Sequence, residues 1–222
     1  MSNLLAWLAL LLTVVVVLAY EVMLMVMQRR HPEQLARSAH ANLRQEWFTA
    51  VSAHNGSEIL AVQALRNSMM SATMVASTAA LGLIGTVTMA APSLHIDFAA
   101  GTPLVRHLSV RLVLELVLMI LLFAALVSST MAVRFYNHVS FISAMPVGSE
   151  ARRRWAPVGV AYVRRAGILY SWALRHLILV APILACILHP FAGPPAALAI
   201  AAVLYGFDQA DTPGTPDKTV VL

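Results

Sequence analysis

Residues 4–27 form an apolar run broken by one ionisable side chain, Glu21, and further apolar runs recur along the whole chain. A helix crossing a hydrocarbon core about 30 Å thick needs about 20 such residues. In lipid every backbone N–H and C=O must be satisfied, and an isolated segment achieves this only as a helix. The expected class is therefore all-α, a polytopic transmembrane helix bundle with about five spans. Charged residues fill 11% of the 222 positions, against about 25% in a soluble domain. Residues 1–208 are taken up by the spans and their connections as a single transmembrane domain, which excludes a separate soluble catalytic domain. The tail, 209–222, contains Asp211, Pro213, Gly214, Pro216 and Asp217 and reads as disordered.

The order and orientation of the spans follow from the basic residues. No Lys or Arg precedes the first run and no small-residue cleavage pattern follows it, so it reads as a retained helix rather than a signal peptide. Gln28-Arg29-Arg30 closes it, which by the positive-inside rule sets that end in the cytoplasm and the N-terminus outside. Between residues 31 and 55, Leu35, Ala39, Leu43, Trp47 and Val51 recur every four positions while Arg37, Arg44 and Glu46 fall on other faces. That spacing predicts a cytoplasmic interfacial amphipathic helix. Asn55, three residues before Glu58, opens a helical pattern that runs to about residue 91. Such a helix is on the order of 50 Å long, so 69–91 cross the membrane and the first turns project or bend.

Residues 92–103, with His95 and Asp97, are expected as a short external loop, and 104–133 as the third span. A second basic loop carries Arg134, Arg152, Arg153, Arg154, Arg164 and Arg165. Within it Ser149 is placed to cap a helix on which Trp155, Val158 and Tyr162 share a face, a second cytoplasmic interfacial helix. The fourth span covers 167–188, with Tyr170 and Trp172 at aromatic-belt depth. His189-Pro190 and Gly193-Pro194-Pro195 stop the chain and restart it. The last run, 196–207, is short for a crossing. It is read as a fifth span that leaves the C-terminus in the cytoplasm, the alternative being a re-entrant hairpin that leaves it outside. The cell inner (plasma) membrane is the expected location. No repeat of 20–50 residues and no inverted symmetry emerges.

A charge inside a span costs at least ~2.5 kcal/mol on insertion scales, so each one needs a partner or a task. Depth arithmetic sorts the exceptions into two layers. An inner layer comprises Glu21, Gln63, Arg66, Asn67, Arg175, His176 and Asp208, with Ser71 on the same helix. Here Glu21 is matched with Arg66, and Arg175 with Asp208. The layer is either structural or the lining of an ion path in which Glu21 titrates. An outer layer comprises Arg106, His107, Arg111 and Glu115, of which Arg111 and Glu115 are spaced to pair within one helix. His95, Asp97, His107 and His189 show no recognisable metal-ligand spacing, and neither a metal nor another cofactor is expected. The clustered Met69, Met70 and Met74 read as core filling.

Small residues stand four apart on the second span, Ala72, Ala76 and Ala80 in one set and Thr78, Gly82 and Thr86 in another. In lipid such stripes let helix backbones approach closely, within one chain or between chains. The lone cysteine, Cys186, lies in an apolar run and supplies neither a disulfide nor a thiolate metal motif. No phosphate-binding glycine loop, nucleophile elbow or zinc-protease signature is present, so no enzyme is expected. The net charge of +5 is attributed to topology and to anionic lipids at the basic loops, notably Arg152 to Arg154, rather than to nucleic acid.

The stretch Leu43-Arg44-Gln45-Glu46-Trp47, then Ile59-Leu60-Ala61-Val62-Gln63-Ala64-Leu65-Arg66-Asn67-Ser68-Met69-Met70 and Met74-Val75-Ala76-Ser77-Thr78-Ala79, resembles the domain of unknown function 599 family. These are multi-pass membrane proteins of bacteria and plants. Similarity continues through Arg175 to Pro182 and through Tyr205-Gly206-Phe207-Asp208. The resemblance implies a multi-pass architecture, draws attention to Gln63, Arg66 and Asn67, and implies no activity. Two functions are expected from the sequence. One is a structural or accessory component that self-associates or docks to a larger membrane complex; the alternative is a small channel or transporter built on the inner layer. A haem- or metal-binding redox subunit is a distant third.

Overall fold

The computed structural model of the protein describes residues 2–30, 36–99 and 109–208. These residues form seven α-helices and one short 3₁₀ turn: α1 (Ser2–Arg30), α2 (Ala36–Ala53), α3 (Glu58–Ala99), α4 (Val110–Ala144), α5 (Glu150–Ile178), α6 (Val180–Leu188), the turn Pro190–Ala192, and α7 (Gly193–Asp208). Among them, five stretches are long and apolar enough to cross a membrane: Leu4–Arg30, Glu58–Pro92, Val110–Ala144, Glu150–Leu188 and Pro190–Asp208. The protein is a multi-pass membrane protein. The tail after Asp208, Arg106 and His107 of the expected outer layer, and residues 100–103 lie outside the described residues.

The first helix is apolar all round, as lipid requires of a spanning segment. Leu10, Thr13, Val17, Tyr20 and Leu24 are buried, while Leu8, Leu11, Val15, Leu18 and Val22 are exposed. Two clusters share the interior. One joins α1, the first half of α4, α6 and α7 around Leu24, Leu114, Ile183 and Cys186. The other joins α2, α3, the second half of α4 and α5 around Phe48, Tyr136, Val139 and Val163. Helix α4 runs through both, which makes it the spine of the bundle.

Several boundaries differ from the sequence reading, each for a physical reason. Helix α3 does not end near residue 91 but continues through Pro92 to Ala99. Proline there deletes one ladder bond, a defect that a long membrane helix tolerates as a bend. The residues expected as the beginning of an external loop are therefore helical. Helix α4 begins at Val110, where the Ser109 hydroxyl accepts from the Leu112 N–H at 3.1 Å, and runs past Arg134 to Ala144. Its extension is held by Tyr136, Val139 and Ile142, buried against α5.

The two amphipathic stretches also differ in kind. The first is a separate helix, α2. The second, capped by Ser149 as expected with Oγ accepting from Arg152 N–H at 3.2 Å, runs without a break into the fourth span as α5. Gly159, Val163, Ala166 and Gly167 make the continuity possible by burying one face; a Cβ on Gly159 would meet Phe48 Cζ at 2.5 Å. The break falls instead at Leu179, where Pro182 of α6 has no N–H to offer the Ile178 carbonyl.

Arg152, assigned from sequence to lipid headgroups, is buried. Its Nη1 donates to the carbonyls of Ile142 (2.9 Å), Ser143 (2.5 Å) and Met145 (3.0 Å), and its Nη2 to Ser52 Oγ at 3.2 Å. It thereby satisfies the orphan carbonyls at the end of α4 and ties α2 to the α4–α5 turn. Glu58 accepts from the Val147 N–H at 3.1 Å across the same turn. Arg153 and Arg154 remain exposed.

Candidate functional site

Five ionisable or hydroxyl side chains from three helices meet inside the bundle. Tyr20 and Glu21 come from α1, Arg175 and His176 from α5, and Asp208 from the last position of α7. Arg175 and Asp208 form an ion pair with both side chains 8% exposed, and the Tyr20 hydroxyl donates to the other oxygen of Asp208 at 2.5 Å. Glu21 Oε1 lies 3.4 Å from His176 Nε2, within ion-pair range but without hydrogen-bond geometry. Trp172 stacks on the His176 ring, centroids 5.5 Å apart and planes 24° apart. Several polar atoms here have no hydrogen-bond partner among the described residues: Glu21 Oε1, Arg175 Nε and Nη1, and His176 Nδ1.

The helix geometry brings these groups together for simple reasons. Tyr20 continues the buried stripe of Leu10, Thr13 and Val17, which delivers its hydroxyl to the bundle interior, where a tyrosine needs an acceptor. Gly193 lets α7 start tight against α1 and α6, since a Cβ there would lie 2.5 Å from Thr13 Oγ1 and 2.6 Å from Cys186 Cβ. That close start aims the far end of α7, Asp208, at Arg175. Along their own helices Glu21 is about 12 Å from Arg29 and Arg175 about 15 Å from Arg165. The cluster thus sits within the apolar lengths rather than at their arginine-rich ends.

Half of the expected inner layer is brought together and half is not. Arg175 pairs with Asp208 as the sequence suggested. The pairing of Glu21 with Arg66 is corrected: Glu21 faces His176, and Arg66 is exposed with no acid paired to it among the described residues. Gln63 and Asn67 are also exposed. The contact register explains the separation. Gly82 faces Leu122 and Ser68 shares a cavity with Tyr136 and Val163. Extended along these antiparallel helices, that register sets His176 near the height of Leu81, on the order of 22 Å from Arg66. Depth counted from the end of one apolar run missed this, because the helices do not start at a common plane.

In the outer layer, Arg111 Nε and Glu115 Oε1 are 2.9 Å apart, within one helix as expected; Glu115 is buried and its Oε2 has no hydrogen-bond partner among the described residues. His107 lies outside the described residues, and His189 is exposed beside Phe191. The small-residue stripe divides. Ala72 and Gly82 face α4, with Leu122 Cδ2 3.0 Å from a Cβ placed on Gly82, whereas Ala76 and Ala80 are half-buried at its edge. The sequence reading missed Tyr20 and Trp172. Tyr20 adjoins Glu21 and continues a buried i, i+3, i+4 pattern, which is the signal that finds it.

The family described as "Protein of unknown function, DUF599" has a sequence model that matches residues 8–212. No curated protein and no solved structure matches the chain.

Proposed function

The chain belongs to the DUF599 family, and from that premise we propose that it is a membrane-embedded accessory component that self-associates through α3. The carrying observation is a seam on that helix. Asn67, Ser71, Met74, Thr78, Leu81, Gly85 and Thr88 follow one another at alternating steps of four and three, and all are exposed. This is the 3.5-residue repeat of a helix seam that takes a second helix. Small side chains at Ser71, Thr78 and Gly85 alternate with larger ones at Met74 and Leu81, and the space beside Gly85 is open. In lipid such alternation lets backbones approach, and the Asn67 amide gains about 1 kcal/mol from an interhelical hydrogen bond. Orientation follows the arginines, with the N-terminus outside and the C-terminus in the cytoplasm of a plasma-membrane protein.

Purification in mild detergent with intact-complex mass measurement tests this. The expected result is a dimer or larger assembly that Gly85→Phe reduces to monomer without loss of helicity. A wild-type monomer with no bound partner refutes it.

The orphan polar atoms of Glu21, Arg175 and His176 favour a second reading, a small channel or transporter in which these groups contact a permeating ion. In reconstituted vesicles Glu21→Gln would then change flux or its pH dependence, and an unchanged flux counts against this path.

A further inference from the structure

Arg44 occupies an unusual position for a charged residue. It is half-buried on α2, and its guanidinium lies over the backbone of α5 at Gly167; a Cβ there would collide with Nη1 and lie 3.1 Å from Cζ. Glycine at this position makes room for the group. Yet Arg44 has no ion pair and no hydrogen bond among the described residues. Glu46, the nearest acid on its helix, is exposed and points away by more than half a turn.

The guanidinium borders a cavity of about 140 Å³ where α2, α3, α4 and α5 meet, lined by Arg44, Trp47, Leu65, Ser68, Tyr136 and Val163. Tyr136 is 2% exposed and lines the same cavity as Arg44, and its hydroxyl makes no hydrogen bond among the described residues. A buried tyrosine normally finds a partner. Ser68 turns its hydroxyl back to the Ala64 carbonyl at 3.2 Å, so the donor groups left among the lining residues are the Arg44 guanidinium, the Tyr136 hydroxyl and the Trp47 indole N–H. Arg66, Arg134, Arg164 and Arg165 adjoin lining residues in sequence but are exposed, turned about 100° or more round their helices from the cavity.

We propose that this cavity binds a phosphate group, held by the Arg44 guanidinium and the Tyr136 hydroxyl. A guanidinium presents paired donors in a fork that matches two oxygens of a phosphate, and the tetrahedral group leaves a further oxygen for the phenol. The height of the cavity supports the choice. Val163 in its wall directly precedes Arg164 and Arg165, which on the orientation read from the arginines belong to the cytoplasmic boundary, where basic pockets between membrane helices hold anionic headgroups. Trp47 and Leu65 supply apolar wall, as at the boundary between headgroup and chain. The phosphate comes either from a lipid of the adjoining leaflet or from solution.

The test uses the full chain, delipidated in mild detergent, with thermal unfolding followed against inorganic phosphate, against phosphatidic acid and against phosphatidylcholine, at matched ionic strength. Saturable stabilisation by inorganic phosphate supports the site with a soluble source; saturation by phosphatidic acid alone supports it with a lipid source. In either case Arg44→Gln weakens the apparent affinity at least ten-fold, and Arg153→Gln, on the exposed face of α5, leaves it unchanged. If Arg44→Gln does not fold, Tyr136→Phe decides: it removes a hydroxyl that bonds nothing in the chain, so it folds normally and binds several-fold more weakly. Absence of saturable binding by the wild type, or wild-type affinity in Tyr136→Phe and Arg44→Gln, overturns the proposal.

Discussion

Removing one partner of the Arg175–Asp208 pair should destabilise the bundle far more than removing both. The two side chains are each 8% exposed, so little water remains to solvate a charge left alone. Breaking a buried pair by deleting one member costs about 3–5 kcal/mol, whereas exchanging both for apolar residues of similar volume is often neutral. Arg175→Met leaves Asp208 still accepting from Tyr20, so its cost lies near the lower figure. Asp208→Leu strands Arg175, whose Nε and Nη1 already have no partner, and also strands the Tyr20 hydroxyl. Its cost lies near the upper figure, with about 1 kcal/mol of it from the lost phenol hydrogen bond. The double variant should therefore be more stable than the sum of the singles implies, by at least ~3 kcal/mol. Reversible unfolding in mixed micelles, followed by helicity, measures all four proteins. Additive single costs would refute the reasoning, because they would mean that neither group holds the other at this depth.

Other perturbations probe separate parts of the fold. Arg152→Lys keeps the charge but not the fork that reaches three carbonyls and Ser52; it should cost about 2 kcal/mol and speed proteolysis at the α4–α5 turn, and an unchanged cleavage rate would contradict the clamp. Gly159→Ala drives a Cβ to within 2.5 Å of Phe48 Cζ, so it should lose about 1–3 kcal/mol by overpacking, and Phe48→Leu in the same chain should recover part of the loss in a thermal scan. In a Cys186→Ala background, Ser2→Cys and Leu222→Cys should react with an impermeant thiol reagent from opposite sides of the membrane; labelling from one side only would replace the fifth span by a re-entrant hairpin.

What the sequence made legible follows the strength of the physics behind each feature. Apolar length is dictated by bilayer thickness, so the spanning class and the number of long apolar helices were readable. Local chemistry was readable too: Ser149 caps α5, and Arg111 reaches Glu115 one turn away within its helix. Features that depend on the relative height of two helices were not. Arg66 and Glu21 were matched by counting from the ends of their own runs, yet the α3–α4 and α4–α5 registers separate them, and no single helix carries that information. Continuity across α5 was hidden because its first half is amphipathic and basic while its second is apolar; only burial of Gly159, Val163 and Ala166 against α2 and α4 joins the halves.

Three arginines that the composition treats alike meet three different fates, and the difference lies in what faces them. Arg175 meets a carboxylate on α7, a pairing that fixes where the last helix ends. Arg152 meets the carbonyls left over at the end of α4, so its charge serves the backbone and is withdrawn from any lipid. Arg44 meets the glycine-bared backbone of α5 and borders a cavity shared with Tyr136, neither of which compensates a positive charge. Because a half-buried guanidinium without an acceptor is costly, the first two arginines account for themselves within the fold. The third calls for an acceptor from outside the chain, and the cavity beside it is where one fits.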